Sequence, residues 1–261
     1  MELIGFALGI LIGISLGIIG SGGSILTIPI LVYIMSVSPS DATTYSLFIV
    51  GISALVGSIK GAKDRLLDYT IALYFGVPSI VSIFIMRKYL VPMLPDILFS
   101  FMNFTVTKDF FIMLVFAVLM ILASFSMIRK DSETALSNEK TNTYNIISKG
   151  IFVGLLTGFV GVGGGFLIIP TLIFSAKLPM KKAVATSLII IAFNSLIGFS
   201  GSSITNIDWP FLLEFTGFAV IGILSGMYLS KKISSEKLKP AFGWFVLIMG
   251  IYIIIKETIF S

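Results

Sequence analysis

The sequence predicts an all-α polytopic membrane protein made of two inverted repeats, each a Gly/Pro-broken helical hairpin plus three transmembrane helices. Three observations predict it. Of 261 residues, 56% are apolar and 12% charged, and the mean hydropathy is +1.06, too little polar material to clothe a soluble domain of this length. Apolar runs of spanning length recur, at 3–19, 42–59, 69–86, 110–128, 146–174, 183–204, 211–229 and 241–255, and in hydrocarbon such runs must be helical to pair their backbone groups. Finally, GIIGSGGSILTIPIL at 17–31 returns as GFVGVGGGFLIIPTL at 158–172, a constant offset of 141 residues.

Composition also excludes whole classes of chemistry. With no Cys and no His, the chain has no disulfide framework, thiol nucleophile, imidazole base or His/Cys metal site. No cofactor is expected. The net charge of +5 comes from residues between apolar runs, where cytoplasmic loop bias accounts for it without a nucleic-acid partner. Residues 1–20 carry Glu2 where a signal peptide has a basic region, and the internal repeat takes them in, so this segment is read as retained.

The first element is the glycine segment. Eight positions are identical between its copies: Gly17/Gly158, Gly20/Gly161, Gly22/Gly163, Gly23/Gly164, Leu26/Leu167, Ile28/Ile169, Pro29/Pro170 and Leu31/Leu172. Ahead of each run, Gly9, Gly13 and Gly17 match Gly150, Gly154 and Gly158. A spacing of four puts them on one face, read as a helix-packing surface. As one straight helix, Leu3 to Met35 would be about 50 Å long against a hydrocarbon core of about 30 Å. The chain must therefore break and turn.

Charge supports the turn. If each glycine segment crossed the bilayer once, the 18 Lys and Arg residues would divide 8 against 10. If each is a hairpin returning to the side it left, only Arg87, Lys88, Lys108 and Lys256 fall opposite the other 14. The positive-inside rule selects the hairpins. Each half then has an odd number of full crossings, the halves are inverted, both termini are extracytoplasmic and the linker is cytoplasmic.

The second repeated block aligns 42–57 with 183–198, keeping Ala42, Ser46, Leu47, Ile49, Leu55 and Gly57. After two further spans, Val91–Lys108 mixes Pro92, Pro95, Asp96 and Lys108 with Phe99, Phe101, Met102 and Phe104, a segment suited to the membrane interface. Residues 129–149 are the only long polar stretch and are read as a solvent-exposed linker between the repeats at 1–128 and 150–261.

Corresponding breaks in inverted halves point to a transporter site near the bilayer midplane. Gly22, Gly23, Gly163, Gly164 and Gly165 permit positive φ, so that N–H groups can converge as an anion nest, with a helix restarting at Ser24 or Phe166 adding its positive end. Pro29 and Pro170 each remove a donor and free a carbonyl in the returning helix. Plain close packing is the alternative. No Lys-Ser/Thr follows the glycines, which rules out a nucleotide P-loop.

Hydroxyl and amide candidates are Ser21, Thr43, Thr44, Ser46, Thr186, Ser187 and Asn194, with Ser46 and Ser187 equivalent. Neutral donors suit an oxyanion that must bind and leave, although Ser and Thr also bond their own helix carbonyls. Glu214 is read either as a coupling-proton carrier or as a first-turn carboxylate at a helix N-terminus.

GxGG(G/S), a Pro six residues after the second Gly of the pair, and an Ala-x-x-(Thr/Tyr)-Ser-Leu helix occur in both halves. This doubled pattern resembles the sulfite exporter TauE/SafE family of membrane permeases across essentially the whole chain. The resemblance implies secondary transport, as an exporter, of sulfur-containing anions such as sulfite or organosulfonates. The first half departs from the fullest motif, with Ser24 in place of the third Gly and Ser21 ahead of the pair. The expected partners are a small anionic substrate and the lipid bilayer of the cell (inner) membrane; a homo-oligomer is left open. A small carboxylate substrate, or a non-transporting membrane scaffold, are the alternatives, and no nucleophile-base pair supports an enzyme.

Overall fold

The computed structural model describes residues 2–20, 22–101, 104–128, 143–202, 207–230 and 235–259. The first half runs α1 (Glu2–Ile19), α2 (Gly22–Pro29), a π-helical turn (Ile30–Ile34), α3 (Pro39–Lys63), α4 (Tyr69–Ile85), a second π-helical turn (Met86–Leu90), a short α5 (Val91–Met93), strands β1 (Ile97–Phe101) and β2 (Phe104–Thr107), and α6 (Lys108–Ile128). The second half runs α7 (Thr143–Val160), α8 (Gly165–Ser175), α9 (Met180–Ser200), α10 (Trp209–Leu229) and α11 (Ser235–Ile259). Among the described residues, six helical stretches are long and apolar enough to cross a bilayer: Pro39–Lys63, Tyr69–Met93, Lys108–Phe125, Thr143–Val160, Met180–Ser200 and Trp209–Leu229. This is a multi-pass membrane protein.

The breaks arise from backbone geometry that only glycine adopts cheaply. Gly20 and Gly161 have φ of +78° and +76°, and their N–H groups close on the Leu16 and Thr157 carbonyls at 2.7 and 2.8 Å. This is the left-handed cap that ends a helix. The chain then turns back on itself. Gly23 lies against Ile12 and Leu16 of α1, and Gly5 against Met35 beyond the returning arm. In the second half, Lys149 Nζ near the start of α7 donates to Ser175 Oγ at the end of α8, at 2.6 Å. Pro29 ends α2 and is followed by the π-helical turn, whose Met35 N–H reaches the Ile30 carbonyl at 3.0 Å, the local readjustment expected downstream of a lost donor. Pro170 sits inside α8.

Equivalent contacts hold the halves together. α1 packs on α10, and α7 on α4; α3 crosses α9, and α6 pairs with α11. Gly51 lies against Ser195 and Leu196, Gly57 against Leu188 and Gly61 against Ala185, so α3 and α9 run antiparallel. Asp68 and Asp208 cap α4 and α10 by accepting from Ile71 N and Phe211 N. Their own N–H groups donate across the molecule, to Thr186 Oγ1 and Tyr45 Oη, each at 3.0 Å. Helix association in lipid depends on close approach, not on apolar burial alone. The glycine stripes supply that approach: a Cβ on Gly13 would stand 2.0 Å from the Ala219 carbonyl oxygen, and one on Gly154 2.5 Å from that of Ser79.

One expectation is corrected, and one segment takes a form the sequence left open. Residues 143–149, read as linker, form the first turns of α7 because Ile146 already packs in the core; positions 129–142 lie outside the described residues. The interfacial segment is an antiparallel β-hairpin, with Ile97 pairing with Thr107 and Phe99 with Val106. Pairing two strands satisfies their inner backbone groups while leaving Ile97 and Phe99 more than half exposed, so the apolar face remains available to lipid headgroups.

Candidate functional site

Of the predicted site residues, Ser46 and Asn194 lie on the crossing helices α3 and α9 with side-chain oxygens unpartnered among the described residues. At the centre of the crossing lie Ser53, Asn194 and Ser195, with Ser46 about two turns nearer the start of α3, none more than 1% exposed. Among the described residues, the Oγ atoms of Ser46, Ser53 and Ser195 and the Oδ1 of Asn194 have no hydrogen-bond partner. Leaving such groups unmade in an apolar interior costs about 1–3 kcal/mol each, so four together call for a ligand or water. Asn194 Nδ2 is fixed by Ser79 Oγ at 2.7 Å, which aims its oxygen elsewhere. The break of the second half reaches this band: a Cβ on Gly163 would meet Ser195 Oγ at 2.3 Å.

The glycines divide their work differently from the sequence expectation. Positive φ occurs at Gly20, Gly161, Gly163 and Gly164, the last two at +66° and +83°. Gly22 and Gly23 are instead helical residues of α2, and Gly165 is the first residue of α8. The helices thus restart at Gly22 and Gly165, one to two residues before Ser24 and Phe166, because the left-handed turn is completed earlier. Ile25 and Phe166, equivalent positions, share one apolar cluster with Ile28 and Val162. The residues that follow the two breaks thus meet in apolar packing. Ser21 lies outside the described residues, and Ser24 falls within α2.

Other candidates take structural partners. Ser187 Oγ donates to the Val184 carbonyl at 2.8 Å, the local bonding that serine finds within its own helix. Thr186 is the clamp on Asp68 described above. Thr44 Oγ1 makes a long bond of 3.4 Å to the Ser40 carbonyl and also lines a cavity. Glu214 is exposed, falls beyond the first turn of α10, and borders a cavity of about 300 Å³ with Asp208, Met35 and Phe211. The first-turn reading is therefore corrected; Asp208, as N-cap, occupies that role.

Two further cavities lie at opposite ends of the crossing and are related by the repeat. One, of about 160 Å³, is lined by Ser40, Thr43, Thr44, Arg87, Lys108 and Ser202. The other, of about 430 Å³, is lined by Gly17, Lys60, Gly61, Lys181, Val184 and Ala185, among others. Offset by 141 residues, Ser40 corresponds to Lys181, Thr43 to Val184, Thr44 to Ala185 and Gly61 to Ser202. Each break abuts the matching wall: a Cβ on Gly20 would strike Val184, and one on Gly161 would strike Thr43. From Thr43 to Gly61, 18 residues along α3, the two ends are about 27 Å apart at 1.5 Å per residue.

Sequence reasoning passed over three of these residues. Ser53 is equivalent to Asn194 at the repeat offset, a signal available in the sequence, and Ser195 is its neighbour's next residue. Arg87 was counted among loop charges. It lies instead in the π-helical extension of α4 and is 3% exposed. The apolar Tyr89, Leu90 and Val91 beyond it are the clue that the helix continues past the charge.

Comparison with known proteins agrees with this architecture. The family model for the sulfite exporter TauE/SafE matches residues 5–253. A "Probable membrane transporter protein" of Xylella fastidiosa is 28% identical over 252 residues, covering 94% of this chain and 91% of the relative. The "Probable membrane transporter protein YunE" of Bacillus subtilis is 26% identical over 276 residues, 97% of both chains. A relative of the same description from Methanocaldococcus jannaschii is 25% identical, covering 94% of each. No solved structure matches. The chain belongs to the sulfite exporter TauE/SafE family and is a membrane transporter of that type, not an enzyme.

Proposed function

We propose that the protein is a secondary transporter, working as an exporter, of small sulfur-containing anions such as sulfite or organosulfonates. Substrate passes between the two end cavities through the α3–α9 crossing, by alternating access of halves inverted in the cell membrane. The termini are extracytoplasmic and the linker ahead of α7 is cytoplasmic. The observation that carries this reading is the set of oxygens unpartnered among the described residues along the crossing, those of Ser53, Asn194 and Ser195 midway between the cavities and that of Ser46 nearer the Thr43 end. Three of them are hydroxyls, which can turn a proton toward an oxyanion and release it again. The same chain geometry, with one broken hairpin per half, suits a site built at irregular backbone that faces protein, not lipid.

Flux of labelled sulfite and sulfoacetate into and out of reconstituted vesicles tests the proposal, with acetate and malate as carboxylate comparators. The intact chain should move the sulfur anions down their gradients. Ser46→Ala and Ser195→Ala should cut that flux at least tenfold while leaving thermal stability unchanged or slightly raised, since each removes a buried hydroxyl that has no partner. Preference for the carboxylates, or undiminished sulfite flux in both variants, would overturn the assignment.

A further inference from the structure

We infer that Arg87 and the 160 Å³ cavity it lines form a charged oxyanion subsite at one end of the pathway, distinct from the neutral band at the crossing. The inference rests on the transport reading for its biological meaning, but its geometry stands separately. Arg87 is buried, and of its guanidinium nitrogens Nη1 donates to Thr43 Oγ1 at 3.1 Å while Nε and Nη2 have no partner among the described residues. A cation taken out of water and left with unmade donors is costly unless an anion joins it. The cavity beside it carries Lys108 and the residues Ser40, Thr43, Thr44 and Ser202, so among the described residues every polar side chain lining it is a cation or a hydroxyl. The nearby Asp109 carboxylate is engaged by Ser40 Oγ.

Size and shape narrow the guest. A water needs roughly 10–15 Å³ of such space, so about 160 Å³ admits an anion of a few heavy atoms with residual water. A guanidinium presents its donors as a planar fork matched to two oxygens of one anion. The fitting class is a compact oxyanion with at least two oxygens on one centre, such as a sulfite, sulfate or sulfonate head. Chloride offers a single point and uses the fork poorly.

The glycine break is part of the subsite. A Cβ on Gly161 would stand 1.9 Å from Arg87 Nη2 and 2.4 Å from Thr43 Cβ, so the left-handed turn that ends α7 is also the surface against which the guanidinium rests. Movement of that break would move the charge. The equivalent of Arg87 in the second half is Tyr228, so the subsite exists at one end alone.

Calorimetric titration of the purified full-length chain in detergent with sodium sulfite and sodium sulfate, against sodium chloride, tests this. Both oxyanions should bind, chloride at least tenfold more weakly. Arg87→Gln should weaken oxyanion binding at least tenfold, and Arg87→Lys should restore only part of it because the fork is lost. Lys108→Gln and Thr44→Val leave the guanidinium in place, and each should weaken binding three- to tenfold; they serve if Arg87→Gln does not fold. Binding unchanged in the Lys108 and Thr44 variants, or equal affinity for chloride, overturns the subsite. Oxyanion binding that depends on Arg87 without sulfite flux in vesicles would leave the subsite standing and refute the proposed cargo. Sulfite flux that persists without Arg87-dependent binding would do the reverse.

Discussion

At the scale of single residues, glycine does two unlike jobs in this chain, and the sequence separates them poorly. Gly154 is there to be small: α7 approaches α4 so closely that any Cβ would meet the Ser79 carbonyl. Gly154→Val should lower the thermal midpoint in detergent, by the equivalent of about 1–3 kcal/mol for overpacking, with no selective effect on which anion is bound. An unchanged midpoint would mean that the α4–α7 contact is loose. Gly161, Gly163 and Gly164 are there for their left-handed backbone. Both kinds appear as G in the same run, and only torsion angles tell them apart. Buried serines pose the same difficulty: Ser187 bonds its own helix while Ser46, its equivalent, has no partner among the described residues.

At the scale of elements, the broken hairpins were legible before any coordinates because length and charge both demanded them. Leu3–Met35 is too long for one crossing, and the returning arms bring Met35 beside Gly5 and Ser175 beside Lys149. The β-hairpin was not legible, since aromatic residues interleaved with prolines fit either an interfacial helix or a strand pair. Nor was the continuation of α4 past Arg87, because a charge at the edge of an apolar run ordinarily marks its end. The chain contains no cysteine, so introduced pairs report cleanly. Lys149→Cys with Ser175→Cys should be joined by a short bismaleimide within one molecule, seen as a mobility shift on gels. If α7 and α8 formed one straight crossing, those residues would lie on opposite faces and no bridge would form.

For the whole molecule, the repeat governs where charge can lie. Lys60 and Lys181 share the wide cavity, whereas Arg87 and Lys108 share the narrow one, and Lys256 lies over Tyr33 at 4.0 Å. The two cavity pairs divide as the hairpin count divides them. On the proposed inverted topology, Lys60→Cys and Lys108→Cys should react with a membrane-impermeant maleimide from opposite sides of oriented vesicles, Lys60→Cys from the cytoplasmic face. Labelling of both from one side would sink the topology.

The two cavities, alike in position, differ in volume and in lining: Thr43 and Thr44 in one correspond to Val184 and Ala185 in the other, and Arg87 corresponds to Tyr228, which is not among the residues lining the wide cavity. Unequal mouths cannot by themselves make a conduit one-way. A carrier at equilibrium obeys detailed balance, so tighter binding at one mouth is repaid by slower release there, and net direction follows the gradients alone. What the inequality does set is the concentration at which each face saturates. The face carrying Arg87 should half-saturate at the lower oxyanion concentration, and that face would then be the one tuned to scarcity.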